Sequence, residues 1–202
     1  MTVTDADLVQ QVTRGHLESL GLLFDRQHAP LRRFLSRLQV PPGDLDDLVQ
    51  MIFLEVPRAA ARFDPARSVT GWLFGVAAMV ARRHRRSLGR LARKVVALSR
   101  EPPGGGQATP AELVAAGESV RRVAHALATL SARKREVFVM IAMEDLPAEA
   151  VAQALGIPVG TVWTRLHHAR KELQALLHQA EDRGFSVGTP RRRKGGPAYG
   201  TE

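Results

Sequence analysis

The sequence predicts an all-α protein made of two small helical domains on a flexible linker, the second carrying a helix-turn-helix. Three observations predict it. Apolar residues recur at spacings of three, four and seven in both halves of the chain. No segment keeps a period-2 alternation long enough for a strand. The stretch Glu101 to Pro110, EPPGGGQATP, breaks the pattern between the halves with glycine and proline. The boundaries expected are 5–95 for the first block, 96–117 for the linker, 118–180 for the second block and 181–202 for a basic, disordered tail containing Arg191-Arg192-Arg193-Lys194.

In the first block Leu17, Leu20, Phe24, Leu31, Phe34, Leu35 and Leu38 form one helical stripe, ended by Val40-Pro41-Pro42-Gly43. Leu45, Leu48, Val49, Ile52, Phe53 and Val56 form the next. Pro57 lies inside that pattern and removes a backbone donor, so the helix is expected to kink or end at about Val56. Phe63-Asp64-Pro65 breaks the chain again before the stripe Trp72, Leu73, Val76, Ala77, Val80. The second block holds four stripes: Val123/Leu127/Leu130, Val137/Phe138/Ile141, Ala148/Val151/Ala152/Leu155, and Val162/Leu166/Ala169/Leu173 onward.

Composition narrows the function. The 202 residues carry 29 Lys+Arg against 20 Asp+Glu, a net charge of +9, and are 45% hydrophobic. That is enough apolar material for real cores. The basic excess suits a polyanionic partner, nucleic acid or an anionic membrane surface; an arginine-favouring codon bias is the bland alternative. No cysteine is present, which excludes disulfide scaffolds, thiol nucleophiles and cysteine zinc sites. No stretch has the roughly 18 apolar residues of a membrane span, and the N-terminus lacks the layout of a secretion signal. A cytoplasmic protein without membrane insertion is the expectation. No phosphate-binding loop, HExxH or nucleophile elbow is found, and His167-His168 point about 100° apart on a helix. No enzyme, cofactor or metal site is expected.

The sharpest local signal is Pro147 to Val162, PAEAVAQALGIPVGTV: a short helix, a turn centred on Gly156, and a second helix opened by Pro158. The small residues Ala148, Ala152 and Ala154 allow the close crossing that a helix-turn-helix needs. Outside its apolar stripe the second helix offers Thr161, Trp163, Thr164, Arg165, His167, His168, Arg170 and Lys171. Its first turns suit base edges in a major groove, and Arg170 and Lys171 suit phosphates. An αα-hairpin with a solvated basic face is the alternative. Trp163 has two open readings, a stacking group on the reading face or a side chain tucked against a neighbouring helix.

In the first block Asp44-Leu-Asp-Asp-Leu-Val-Gln50 opens a segment with four acids and no base up to Glu55. Asp46, Asp47 and Gln50 share one helix face. An acidic face on a basic protein suits a basic protein partner; a solvated N-terminal turn favoured by the helix dipole is the alternative. Downstream, the loop Asp64 to Thr70 is polar. Eight bases and no acid follow between 82 and 100, namely Arg82, Arg83, Arg85, Arg86, Arg90, Arg93, Lys94 and Arg100, a run suited to phosphates.

These motifs together carry a resemblance. The run Leu130-Ser-Ala-Arg-Lys-Arg-Glu-Val137, then Ala148–Leu155, Gly156-Ile-Pro-Val-Gly-Thr-Val162 and Arg165-Leu-His-His-Ala-Arg-Lys171, resembles region 4 of extracytoplasmic-function (ECF) sigma factors of the sigma-70 family. Asp44–Gln50, Arg62-Phe-Asp-Pro65 and Gly71-Trp-Leu-Phe74 resemble region 2 of the same family, in the same order. The resemblance implies a factor that binds core RNA polymerase and directs transcription initiation. Asp46, Asp47, Leu48 and Gln50 would meet the β′ coiled coil of the polymerase, with the β flap as a further contact. Asp64, Arg67, Ser68, Thr70, Arg82 and Arg83 would handle the promoter's −10 element, where a captured base offsets the cost of unstacking. Thr161, Trp163, Thr164, Arg165, His167, Arg170 and Lys171 would read the −35 element. An anti-sigma protein is a further implied partner. The chain departs from the family pattern at Met51, Pro57, Gly75, Ala78, Met79, Trp163, Thr164 and His168; Gly75, Ala78 and Met79 stand where Arg, Arg and Asn are common. A regulator acting without polymerase and a sigma-like interaction module are the competing readings.

Overall fold

The structure, a computed structural model, describes residues 3–98 and 118–184, with side chains over 3–90 and 122–176. The expected linker beyond residue 98, the tail beyond 184, Arg100, and the side chains of Arg93 and Lys94 lie outside the described residues. Every described element is helical.

Helix α1 (Asp5–Thr13) is started by Thr4, whose hydroxyl accepts the Asp7 N–H at 3.2 Å while the Asp7 carboxylate accepts the Thr4 N–H at 2.9 Å. This reciprocal cap satisfies two donors that the first turn leaves free, and those hydrogen bonds hold the Asp7 carboxyl below its ordinary value. Leu8, Val9 and Val12 seat α1 in the core. Gly15, at φ +90°, turns the chain into α2 (Leu17–Arg37). Leu31, Phe34 and Leu35 are buried as the stripe predicts, whereas Leu17 is 75% exposed. A short 3₁₀ turn, Pro42–Asp44, leads into α3 (Leu45–Ala60). The helix does not end at Val56: it runs through Pro57 to Ala60. Pro57 is exposed while Val56 and Ala60 are buried, so packing on both sides holds the last turn despite the missing donor.

Helix α4 (Val69–Leu98) is the spine of the molecule. On one side it packs on α2 and α3, and Phe74 stacks on Phe34 at 4.3 Å between ring centres. Its other side meets the second block. That block comprises α5 (Glu118–Thr129), α6 (Ala132–Phe138) with a π-helical turn at Val139–Met143, α7 (Ala148–Leu155) and α8 (Val159–Gly184). The buried apolar residues of both blocks form one continuous cluster.

The contact between the blocks follows a single stripe on α4. Gly71, Gly75, Ala78, Arg82 and Arg85 are spaced by four and three, so they line one face. A methyl group on Gly71 would touch Leu146 at 3.5 Å. One on Gly75 would lie 2.7 Å from the Ala154 carbonyl oxygen, a distance no real side chain tolerates. Only glycine at 75 lets the backbone of α7 come this close. Ala154, expected to serve the crossing of α7 and α8, is thus a residue of the contact with α4.

Candidate polymerase and promoter surfaces

The acidic segment on α3 resolves into paired and unpaired groups. Asp44 faces His84 (2.8 Å), Asp46 pairs with Arg32 (2.8 Å) and Glu55 with Arg83 (3.1 Å). Asp47 has no ion pair among the described residues. Leu48 corrects the expectation for it: it is buried with Leu45, Val49 and Ile52, because that spacing puts it on the core side of the helix. It is 1% exposed and so is not on the surface of the helix. The same helix exposes two large apolar side chains not among the expected site residues, Met51 and Leu54, 46% and 76% exposed. They follow Asp47 by four and seven positions, so an unpaired carboxylate, Gln50 and two apolar side chains share one surface. The signal was present, since Leu54 falls outside the Leu48/Ile52/Val56 stripe.

The loop after α3 is built by its own polar residues. Asp64 accepts the Ala66 N–H at 3.0 Å and pairs with Arg67 at 3.0 Å. Ser68 accepts the Gly71 N–H at 3.2 Å through its hydroxyl and the Trp72 N–H at 3.0 Å through its carbonyl, which caps α4. Asp64, Arg67 and Ser68 are exposed and Thr70 is half-buried. Trp72 packs on Phe63 at 5.0 Å and is also half-buried. A cleft of about 330 Å³ opens beside them, with Asp64, Arg67, Ser68 and Trp72 on one wall and Glu149 and Gln153 of α7 on the other.

The basic stretch is less available than its sequence suggests. Arg83 pairs with Glu55, and Arg82 donates to the Ala78 carbonyl at 3.2 Å. Arg82 and Arg85 both approach Glu136 of α6, which is 0% exposed. Arg85 Nη2 donates to Glu136 Oε1 at 3.0 Å. Arg82 Nη1 stands 3.8 Å from Oε2, too far for a hydrogen bond, and that oxygen has no hydrogen-bond partner. Burial pushes the Glu136 carboxyl up; Arg82, Arg85 and Arg165 oppose it, and the net direction is upward.

The helix-turn-helix is formed as expected. Gly156 takes the left-handed conformation at φ +64°, and the Ile157 N–H closes the end of α7 on the Ala152 carbonyl at 2.9 Å. The Pro158 carbonyl accepts from Thr161 and Val162, so Pro158 caps α8, which begins at Val159, one residue after the expected start. Trp163 is 52% exposed, so it is not buried against a neighbouring helix. His167, Arg170 and Lys171 are exposed alongside it, and the two histidine rings meet edge to face at 5.6 Å. Thr164 is exposed but its hydroxyl donates to the Gly160 carbonyl. Thr161 and Arg165 are half-buried.

Two family models match this chain: sigma-70 region 2 over residues 23–91, and sigma-70 region 4 over residues 121–173. The sigma factor CnrH of Cupriavidus metallidurans is 32% identical over 88% of this chain and 97% of its own length. The chain belongs to the ECF group of the sigma-70 family. The ECF sigma-E factor of Escherichia coli K12 is 28% identical over 85% of this chain and 93% of its own. A solved structure of CnrH in complex with the cytosolic domain of CnrY matches with a TM-score of 0.64 and 28% identity, covering 87% of this chain and 97% of that one. The sigma factor RpoE of Bartonella quintana, solved with the anti-sigma factor NepR, shares the fold at a TM-score of 0.61 and 24% identity over 77% of this chain and 94% of that one. As an ECF sigma factor the protein is not an enzyme; it directs RNA polymerase to promoters. No described helix is long and apolar enough to cross a membrane.

Proposed function

We propose that the two tasks of this sigma factor fall on surfaces of opposite character. The α3 ridge of Asp47, Gln50, Met51 and Leu54 takes core polymerase at the β′ coiled coil, with Asp46 as its charged edge. The single observation that carries this is Asp47: an exposed carboxylate without an ion pair among the described residues, flanked by exposed apolar side chains, on a chain of net charge +9. Charge of that sign draws a basic partner, and the apolar neighbours give it area to bury.

The loop from Asp64 to Thr70, with Arg82 and Arg83, takes the −10 element. Trp163, Arg165, His167, Arg170 and Lys171 on α8, with Thr161 and Thr164, take the −35 element, and the same block leans on the β flap. Two modest readers tethered on one enzyme raise each other's effective concentration, so spacing adds to specificity. CnrH is bound by the cytosolic domain of CnrY, and a comparable anti-sigma protein is proposed here. The site of action is the cytoplasm, where the polymerase is.

Run-off transcription tests the assignment. Core polymerase with this protein should start new transcripts on the protein's own upstream region, and core polymerase alone should not. No new start with active core enzyme, on that region or across a genomic library, contradicts the reading.

A further inference from the structure

The α4 stripe that joins the two blocks contains Arg82, which the proposed function gives to DNA, and Arg85 of the same basic run. Gly71, Gly75 and Ala78 are buried, with Gly75 admitting the Ala154 backbone and a methyl group at Gly71 lying in contact range of Leu146. Arg82 and Arg85, further along the same face, converge on the buried Glu136. The contact is reinforced elsewhere: Arg135 donates to the Leu38 carbonyl at 3.1 Å, and Arg37 pairs with Glu144. The cleft beside the −10 loop has α7 as its second wall.

A surface meant to stay open to DNA has no need of this fit. Glycine inside a helix costs helix stability relative to other residues, and at 75 it is compensated only if α7 is in place. The positions where the resembling family commonly carries Arg, Arg and Asn hold Gly75, Ala78 and Met79 here, and the first two lie in the contact. Glu136 gives up its hydration to meet Arg82 and Arg85, and one of its oxygens has no hydrogen-bond partner. A carboxylate of the second block thus occupies two arginines of the first.

We propose that this chain carries its own closed resting state: α7 covers the −10 face of α4, and Glu136 holds Arg82 and Arg85 in place of DNA. Opening exposes the loop cleft and both arginines together, so promoter binding and closure exclude each other. Closure itself stands on the contacts above; the masking of DNA rests on the −10 assignment of the proposed function.

The test uses the full chain, whose lack of cysteine allows dyes on Arg58→Cys and Ala175→Cys. Gly75→Arg places a side chain against the Ala154 carbonyl. Gly89→Arg adds the same charge to the same helix, where an added methyl meets nothing within 4 Å. Energy transfer should be high in the parent and in Gly89→Arg, and should fall in Gly75→Arg. A labelled mixed-sequence single-stranded oligonucleotide should bind Gly75→Arg about tenfold more tightly than Gly89→Arg, because affinity scales with the competent fraction. Arg85→Glu, which leaves both cores untouched, should also lower transfer and guards against misfolding of the first variant. Transfer in the parent as low as in Gly75→Arg, with both arginine variants binding DNA equally, overturns closure and leaves the −10 assignment standing. Closure in the parent and loss of transfer in Gly75→Arg, with no DNA bound by either, overturns the masking together with the −10 assignment.

Discussion

Arg135 reaches Leu38 across 97 residues of chain, its Nη1 donating to the Leu38 carbonyl at 3.1 Å. The same guanidinium donates to the carbonyls of Leu127 (2.7 Å), Leu130 (2.8 Å) and Ala128 (3.1 Å). These carbonyls belong to the C-terminal ends of α2 and α5, where intrahelical donors run out and positive charge is favoured. One side chain therefore closes two helices and ties the blocks together. Its own burial, more than the neighbouring Arg85, lowers its pKa, and Glu136 opposes the shift.

Removing that fork should be costly. Arg135→Ala leaves four carbonyls without the donor, at about 1 kcal/mol each, so a loss of about 3 kcal/mol or more is expected in urea unfolding. Arg135→Lys should recover little of it, since a single ammonium cannot span the four acceptors. Full rescue by lysine would mean that charge alone is what the site needs.

Glu136 gives the fold a pH dependence. Arg82 and Arg85 of α4, Arg165 of α8 and Arg135 of its own helix are the charged groups around it. Burial outweighs them, so the folded-state pKa lies above the unfolded one. Protons are then bound more tightly by the folded chain, and this contribution is complete below the ordinary Glu value of 4.5 and lost as pH climbs through the raised value. The thermal midpoint should fall across that window, and Glu136→Gln should flatten the dependence. A midpoint that rises with pH and flattens in Glu136→Gln would show the arginines dominating.

Arg165 and Arg170 of α8 should fail differently. Arg165→Ala should relax base preference at the −35 element, by about 1–3 kcal/mol of discrimination. Arg170→Ala should weaken binding to all sequences alike and reduce the slope of log K against log salt by about 1. Competition between oligonucleotides over a salt series separates them. Equal loss on every sequence for Arg165→Ala would reduce it to its partly buried place near Glu136.

The helical period gave away most of the fold, because buried residues in a helix must recur every three or four positions whatever they pack against. Ile52, Phe34, Val151 and Leu166 are core residues on that ground alone. Helix α1 was missed although Thr4 and Asp7 carry its capping signal, since three buried residues make too short a stripe to notice. Pro57 misled because a missing donor is a local cost and the packing of Val56 and Ala60 is not local. Of the candidate site, the local structure was legible as charge and motif: Asp47 is exposed on its helix, Asp64 lies in a loop and Gly156 makes the turn. What spacing does not encode is the partner across a contact. Nothing in one sequence said that Glu136 would lie under Arg82 and Arg85 or that Gly75 would meet Ala154, whereas the inward Leu48 and outward Leu54 follow from the stripe.

The division of surfaces is tested most directly by the affinity of purified core polymerase for the protein and for Asp47→Arg. The side chain is exposed and without an ion pair among the described residues, so the thermal midpoint should stay where it is while binding weakens about tenfold or more. Unchanged affinity in a folded Asp47→Arg protein would contradict the assignment of the α3 ridge to the polymerase.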